Sequence, residues 1–258
     1  MIITYGCVAM LALSATALGD APKNEAPSAA QRSTAPRPRA ARIAKPAATA
    51  AAKPMLKKTA AKKDPTAALL DKVQGYYAKI EDYRADFIQI YTKVALSRTT
   101  EQRGELMLKK PGSMRWTYKK PVEKLWVVDG DTLYVVDPEF EQVFVDKNFK
   151  TEELQNSISF LWGRGKLDTS FDAKIGKAET YKATKGHEVL ELRPKAGATY
   201  SKMVLIVDSA SGAVTESIIY ETAGNTNHFK FNNAKHNTKL ADGLFKYTPP
   251  ANFEVIQR

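Results

Sequence analysis

The chain has 258 residues, 43% of them hydrophobic, and its 39 Lys and Arg against 28 Asp and Glu give a formal net charge of +11. This length allows one or two domains with a sizeable core. The excess charge is confined to residues 20–63, where 11 basic residues face 2 acidic ones, and the rest of the chain holds 28 basic and 26 acidic residues. The folded part is therefore close to neutral, which argues against a nucleic-acid-binding domain.

Residues 1–19 are typical of an export signal peptide. Cys7–Leu18 is an apolar run of the length of a signal-peptide core, and Ala17-Leu18-Gly19 places small residues where a signal peptidase reads them. A run this short could serve instead as a weak membrane anchor. Because Cys7 is the only cysteine, the mature protein is predicted to have neither a disulfide nor a thiolate metal site.

Residues 20–63 are low-complexity sequence of Ala, Pro, Lys and Arg without an aromatic residue. Such a stretch cannot bury enough apolar surface to fold, so we predict a disordered basic linker. Two interpretations stay open: an electrostatic tether to anionic lipid headgroups or cell-wall polymer, and a solvated spacer without a partner. A nucleic-acid-binding tail has the same composition, but the export signal would place it in the wrong compartment.

The folded part, residues 64–258, is predicted to begin with a helix. Asp64 supplies an N-cap acceptor, and Pro65 suits the first helical position. Apolar residues then recur at helical spacing as far as about Asp82, namely Leu69, Leu70, Val73, Tyr76, Tyr77 and Ile80. This apolar face needs a sheet to lie on, and Arg84–Leu96 is predicted as its first strand.

An antiparallel meander is predicted between Gly104 and Asp137. Strand-like runs alternate there with turns in which proline pre-sets φ or glycine supplies a positive φ. The runs are Glu105–Leu108, Met114–Tyr118, Lys124–Val128 and Thr132–Asp137, and the turns are Lys110-Pro111-Gly112, Lys120-Pro121 and Asp129-Gly130. Neither face of the third run is polar, so apolar groups are expected to cover both sides of the sheet there.

After a short strand at Glu141–Val145 the pattern changes to a helical period. A short helix is predicted between Lys150 and Asp168, ending near Gly163, with Gly163-Arg164-Gly165 as a flexible joint. Strands then return at Ser170–Ala178, His187–Arg193, Lys202–Val207, Ala213–Glu221 and Thr226–Lys235. An open, strongly curved sheet of about eleven antiparallel strands, with the helices lying in its mouth, satisfies this order.

No catalytic constellation can be identified from the residues. His187 and His228 lie in predicted strands and His236 directly follows one, without a ligand cluster nearby, and we expect all three to be surface or half-buried residues. The sequence has no nucleophile elbow, phosphate loop or dinucleotide fingerprint. We therefore predict a protein that is not an enzyme and that uses neither a metal nor a cofactor.

The unusual feature is the number of large apolar side chains on the predicted strands. Singly, each is expected to belong to an ordinary core. As a set beneath a Gly-jointed helix they favour a cavity that opens to admit an apolar ligand. The predicted cavity residues are Phe87, Tyr91, Leu106, Met114, Trp116, Tyr118 and Trp126, with Tyr134 in the following strand. The helix over them is predicted to be a lid that carries Ile158, Phe160, Leu161 and Trp162.

Several separated motifs resemble, in order, those of the periplasmic lipoprotein carrier family LolA. They are Phe87-x-Gln89, Gly104-x-Leu106, Lys110-Pro111-Gly112-x-Met114-Arg115-Trp116-x-Tyr118-x-x-Pro121, Val128-Asp129-Gly130-x-x-Leu133-Tyr134 and Asp137-Pro138-x-x-x-Gln142-Val143. Gly224-Asn225-Thr226, with Phe229, Phe231, Asn237, Leu240, Phe245, Pro249 and Pro250, is similar to the family's carboxy-terminal pattern. The resemblance extends from Thr66 to about Ile256 and leaves the basic linker outside.

The resemblance implies an unclosed half-barrel of eleven antiparallel strands with a helical lid, acting as a monomer without a cofactor. Its cargo would be the acyl chains of lipoproteins, received in the periplasm from an inner-membrane ABC-type release complex and delivered to an acceptor at the outer membrane. The family often has a lid-latching arginine where this chain has Lys110, and Arg115 or Lys109 is a candidate substitute. Because the chain stops soon after the matched residues, the added carboxy-terminal strand of some members is not expected.

Two alternatives to a shuttling lipoprotein carrier stay open on the sequence. One is a membrane-tethered sensor or lipid-binding module on the same fold, as in the related envelope-stress regulators, with the apolar N-terminal run kept as its anchor. The other is a carrier of a different lipid, such as a glycolipid. All three would shelter acyl chains from water, and that burial is worth about 0.8 kcal/mol per methylene.

Overall fold

A computed structural model describes residues 64–149, 161, 167–195 and 198–257. This part of the chain forms one twelve-stranded sheet and two helices. The helices are α1 (Pro65–Ala78) and α2 (Leu167–Ser170). The strands are β1 (Asp82–Lys93), β2 (Arg98–Lys109), β3 (Ser113–Lys120), β4 (Lys124–Asp129), β5 (Thr132–Asp137), β6 (Gln142–Asp146), β7 (Phe171–Gly176), β8 (His187–Pro194), β9 (Tyr200–Asp208), β10 (Val214–Glu221), β11 (Thr226–His236) and β12 (Glu254–Gln257). The predicted signal peptide and basic linker lie outside the described residues.

The sheet does not close into a barrel. Its strand order is β12-β6-β5-β4-β3-β2-β1-β11-β10-β9-β8-β7, so β12 and β7 form two separate edges. Neighbouring strands are antiparallel except for β12 and β6, which are parallel. The prediction of a mainly β, unclosed half-barrel is confirmed, with twelve strands in the described residues in place of eleven. The additional strand is β12, so the expectation that no carboxy-terminal strand would be added was wrong.

Some predicted boundaries differ from the structure. The helix α1 ends at Ala78 and not near Asp82, because Asp82 is already the first residue of β1. The strand β1 ends at Lys93 and not at Leu96, and β2 begins at Arg98, well before the predicted Glu105. Residues 98–103 of β2 are mostly polar and exposed, so no apolar alternation marks them as a strand.

The inner face of the sheet carries one continuous buried apolar cluster. Phe87 of β1 lies opposite Gly104 of β2 and opposite Phe231 of β11. Trp116 of β3 lies between Leu106 of β2 and Trp126 of β4. Cross-strand partners point to the same side of a sheet, so these side chains share the inner face. The cluster continues through β9 and β8 with Leu205, Met203, Leu190 and Leu192.

The helix α1 covers part of this inner face. It begins as predicted, since the Asp64 carboxylate accepts a hydrogen bond from the Thr66 N–H at 3.0 Å and Pro65 stands in the first turn. The side chains that it buries in the cluster are Leu69, Leu70, Val73 and Tyr77. The Tyr77 hydroxyl accepts a hydrogen bond from the Val214 N–H at 3.1 Å, which fixes the helix to the start of β10.

The carboxy-terminal segment covers the outer face of the sheet at β3 to β6. A short 3₁₀ helix, Asp242–Phe245, packs against β3 and β4. Tyr247 and Phe253 then pack against the outward side chains of β5 and β6, namely Val136, Val143 and Val145. In β4, Trp126 and Val128 face inward, whereas Leu125 belongs to the outer cluster. The expectation that apolar groups cover both faces of this strand is confirmed.

Candidate functional site

The candidate site is an aromatic cluster at the centre of the inner face, formed by Phe87, Trp116, Tyr118, Phe229 and Phe231. The Phe87 ring meets the rings of Tyr118 and Trp116 edge to face, with centroids 5.0 and 5.5 Å apart. Phe229 meets Trp116 at 5.5 Å, also edge to face. Each of the five side chains is buried. Edge-to-face contacts of this kind stabilise a packed aromatic group beyond its simple apolar burial.

Close packing at this point depends on Gly104. Its position opposite Phe87 brings the β2 backbone against the Phe87 ring. A β-carbon added at Gly104 would stand 2.8 Å from two ring carbons of Phe87 and closer still to the Thr117 carbonyl oxygen. A glycine is therefore needed here to let the backbone approach the ring.

The structure brings five of the seven predicted cavity residues into the inner cluster: Phe87, Leu106, Met114, Trp116 and Tyr118. Trp126 is half-buried and packs against the margin of this cluster. Leu161, from the predicted lid, is 2% exposed and belongs to the same cluster. The other predicted lid residues, Ile158, Phe160 and Trp162, lie outside the described residues. That these side chains contact a ligand stays a prediction.

Tyr91 lies on the inner side of β1 but apart from the aromatic cluster. The strands β1 and β2 run on past the end of β3, whose last residue Lys120 pairs with Arg103. Tyr91 lines a separate pocket of about 280 Å³ there, together with residues of β2 and of the β3–β4 turn such as Pro121 and Val122. Its hydroxyl donates a hydrogen bond to the Glu221 carboxylate at 3.1 Å.

Tyr134 points away from the inner face. Its ring packs against Tyr247 of the carboxy-terminal segment, with centroids 5.3 Å apart. It belongs to the outer cluster of Val136, Val143 and Val145. The expectation that Tyr134 lies with the cavity aromatics was therefore wrong. The next residue of β5, Val135, points inward instead and packs against the inner cluster.

Sequence reasoning missed two members of the aromatic cluster, Phe229 and Phe231. Their period-two spacing on β11 does place them on one face of a strand. What it does not show is that β11 returns to pair with β1, where Phe231 lies opposite Phe87. This pairing joins the two ends of the described domain, so no local signal in the sequence reports it.

The family of the chain follows from a comparison of its sequence with known families. The model of the family described as outer membrane lipoprotein carrier protein LolA matches residues 78–248. This chain belongs to the LolA family. Two similar proteins, both called outer-membrane lipoprotein carrier protein, come from Cupriavidus taiwanensis and Dechloromonas aromatica. They are 28% and 27% identical over 74% of this chain, which corresponds to 89% and 88% of their own lengths. A solved structure of a LolA-superfamily protein from Nitrosomonas europaea is 11% identical, has a TM-score of 0.39, and is matched over 70% of this chain and 97% of its own.

Three cations were candidates for the LolA family's lid latch, and the structure places them differently. The Lys110 ammonium donates hydrogen bonds to the carbonyls of Tyr77 and Ala78, at 3.2 and 3.1 Å, where α1 ends. The Arg115 guanidinium lies on the outer side and donates to the Leu244 carbonyl at 3.2 Å. Lys109 likewise binds the carboxy-terminal segment, at the Leu240 carbonyl and the Asp242 carboxylate. Lys110 therefore holds a covering helix, whereas Arg115 and Lys109 fasten the outer segment.

A buried carboxylate, Asp82, joins the first strand of this LolA-family fold to the same outer segment. It accepts hydrogen bonds from the Thr238 N–H and Oγ1, at 2.8 and 3.0 Å, and from the N–H groups of Lys239 and Leu240, at 2.8 and 3.3 Å. Burial by itself would raise the pKa of the Asp82 carboxyl, but these hydrogen bonds to its charged form outweigh burial, so the pKa lies below its ordinary value.

The three histidines are surface or half-buried residues with local partners. His187 lies 3.0 Å from the Thr184 hydroxyl, His228 lies 2.6 Å from the Glu216 carboxylate, and His236 lies 3.4 Å from the Tyr76 hydroxyl. Within the described ranges, no group of three or more His, Cys, Asp or Glu could hold a metal ion. Nor does any helix in this part of the chain combine the length and the apolar character needed to span a membrane.

Proposed function

We propose that this chain is a periplasmic carrier that binds the acyl chains of lipoproteins in its apolar interior and transfers them from the inner to the outer membrane. The observation that supports it is a LolA-family sheet whose inner face is one continuous apolar cluster with an aromatic centre, lying under α1 and Leu161. The proposed acyl-chain contacts are Phe87, Leu106, Met114, Trp116, Tyr118 and Trp126, with Tyr91 in the neighbouring pocket. Ile158, Phe160, Leu161 and Trp162 are the proposed lid contacts.

The physical demand on such a carrier is twofold. It must hide acyl chains whose exposure to water costs about 0.8 kcal/mol per methylene. It must also release them at the acceptor. An interior that its own apolar cover refills when empty meets both demands, because the cover competes with the cargo and lowers the net affinity.

On this proposal the parts of the chain divide the work. Residues 1–19 direct export, residues 20–63 act as the linker, and residues 64–258 carry the cargo site. An inner-membrane ABC-type complex supplies the lipoprotein, and an outer-membrane acceptor receives it. Lys110, bound to the end of α1, is the proposed latch of the cover, and no nucleic acid or cofactor takes part.

The test compares one lipoprotein in its acylated and unacylated forms. The purified full-length protein is expected to bind the acylated form and to show no binding of the unacylated form, because the affinity comes from the acyl chains. Equal binding of both forms, or binding of neither, would contradict the proposal.

Two aromatic residues on neighbouring strands provide a matched pair of variants for this assay. Trp126 points to the inner cluster, whereas Tyr134 points to the outer one. Trp126→Ala is expected to weaken binding of the acylated form about tenfold, because it removes apolar area that a chain would cover. Tyr134→Ala is expected to leave binding unchanged. Urea unfolding of both variants shows whether their stabilities differ. Equal losses of binding in the two variants would show that the cargo does not bind at the inner face beside Trp126.

A further inference from the structure

Three polar atoms around Phe229 are buried and have no hydrogen-bond partner among the residues that the structure describes. They are Gln89 Oε1, Trp116 Nε1 and Ser217 Oγ. The exposed fractions of the three residues are 7%, 4% and 2%. Burying a polar atom without a partner destabilises a fold, and native proteins pair the great majority of such atoms. Three unpaired atoms around one residue therefore need an explanation.

The three side chains converge on the aromatic cluster because of the strand register. Gln89 of β1 and Ser217 of β10 are the two direct cross-strand neighbours of Phe229 on β11. The Trp116 ring contacts the Phe229 ring edge to face, with centroids 5.5 Å apart. Gln89 and Ser217 stand two strand spacings apart, which is about 10 Å. All three belong to the interior that the proposed function assigns to acyl chains.

A neighbouring amide fixes the orientation of Gln89. The Gln89 Nε2 group donates a hydrogen bond to Asn227 Oδ1 at 2.9 Å, and Asn227 is itself 3% exposed. The Gln89 amide nitrogen is thereby paired with Asn227, and the Gln89 carbonyl oxygen stays available as an acceptor. Asn227 acts here as a positioning residue.

The unpaired atoms form a defined set of hydrogen-bonding groups. Gln89 Oε1 accepts, Trp116 Nε1 donates, and the Ser217 hydroxyl does either. A bare hydrocarbon tail can satisfy none of them. Amides and esters can, since an amide supplies an N–H donor and both supply carbonyl acceptors. Amides and esters are also the linkages that join acyl chains to the first residue of a lipoprotein.

We infer that Gln89, Ser217 and Trp116 bind the amide and ester linkages of acylated cargo and so distinguish it from an equally apolar ligand without carbonyl groups. The inference rests on the proposed function, because it assigns a specificity to the same interior. In it the cargo amide N–H donates to Gln89 Oε1, and a cargo carbonyl accepts from the Trp116 indole N–H. Ser217 pairs with a second carbonyl.

The experiment uses two ligands of equal chain length: a triacylated cysteine lipopeptide and its all-ether analogue, in which an ether oxygen replaces each ester and the amide, so that the linkages carry no carbonyl group, no N–H and no charge. The full-length wild-type protein is expected to bind the acylated lipopeptide about tenfold more tightly than the analogue. The double variant Gln89→Met, Ser217→Ala replaces both polar groups with apolar ones of similar shape. It is expected to lose most of the tenfold preference, through weaker binding of the acylated lipopeptide, and to keep only the part that comes from the Trp116 indole N–H.

Controls separate specificity from packing. Gln257→Met and Ser201→Ala make the same chemical changes at exposed positions and are expected to keep the tenfold preference. Ser217→Ala alone is expected to keep or raise the thermal midpoint, because an unpaired buried group has been removed. The double variant also loses the hydrogen bond from Gln89 to Asn227, so its midpoint is expected to be lower than that of Ser217→Ala. An undiminished preference in the double variant, or equal affinities in the wild type, would overturn the inference while the proposed function stands. If the wild type bound neither ligand, both would fail.

Discussion

At the scale of single residues, Asp82 shows how one carboxylate can tie distant parts of the chain together. It lies at the start of β1 and binds three successive residues, 238–240, that follow β11. Because its pKa is lowered in the folded protein, the ionised form stabilises the fold above the pKa of the unfolded chain. That contribution is lost as the pH falls through the lower, folded pKa.

The corresponding prediction is a pH-dependent cost of Asp82→Asn. At pH 7 the variant is expected to be less stable than the wild type by about 1–3 kcal/mol, because the amide cannot match the acceptor capacity of the carboxylate. The difference is expected to narrow as the pH falls below the ordinary carboxyl pKa of about 4, because the unfolded chain takes up its proton there and the folded carboxyl does so at a lower pH. Urea unfolding at pH 7 and pH 3 measures both values. Asp172→Asn, at a side chain that is 75% exposed, is the matched control and is expected to change little at either pH.

Residue-scale predictions from the sequence were accurate where the two faces of a strand differ in polarity. Met114, Trp116 and Tyr118 alternate with polar neighbours, and all three lie in the inner cluster. Tyr134 was misplaced because β5 has apolar residues on both faces, so alternation could not say which set points inward. The sequence also could not predict that Gln89 and Ser217 lie on either side of Phe229, since this arrangement depends on the pairing of β1, β11 and β10.

At the scale of whole elements, Lys110 connects the β2–β3 turn to the end of α1. A cation at a helix carboxy terminus interacts favourably with the helix dipole and satisfies carbonyls that the helix leaves unpaired. Lys110→Met is therefore expected to destabilise the protein by about 1 kcal/mol and to speed amide exchange in the last turn of α1. Hydrogen exchange followed by mass spectrometry reports the second effect, and urea unfolding reports the first.

Lys120→Met is the control for this prediction, because Lys120 is an exposed lysine that also precedes a proline in a turn. It is expected to leave the exchange of α1 unchanged. Equal exchange in α1 for the wild type and Lys110→Met would show that the two hydrogen bonds do not hold the helix.

Among the elements, the meander from β2 to β5 was predictable because each of its turns carries a local signal in proline or glycine. The strand β12 was not, since its four residues are mostly exposed and pair in parallel with β6, far away in the sequence. The unclosed sheet followed from the number and order of strands together with the family resemblance. Its two edges became visible only with the pairing of β12 and the position of β7.

At the scale of the whole molecule, the proposed function requires the interior to exchange its own cover for cargo. In the described residues the space inside the sheet is occupied by protein: Val73 and Tyr77 of α1 and Leu161 are at most 2% exposed and pack in the same cluster as Trp116. Acyl chains can contact the inner face only if some of these side chains move away from it. Strands β9 and β10, in contrast, form the wall and need not move.

Amide hydrogen exchange in the presence of a saturating triacylated lipopeptide tests whether the cargo displaces the cover. Amides of α1 are expected to exchange faster in the complex than in the free protein, since the helix loses part of its packing. Amides of β9 and β10 are expected to keep their protection, because their ladder bonds are independent of the cover. The unacylated peptide is the control and is expected to change neither region. If the bound lipopeptide left α1 as protected as in the free protein, its chains would not be displacing α1, and the cargo site would have to lie beneath another part of the cover or in the pocket beside Tyr91.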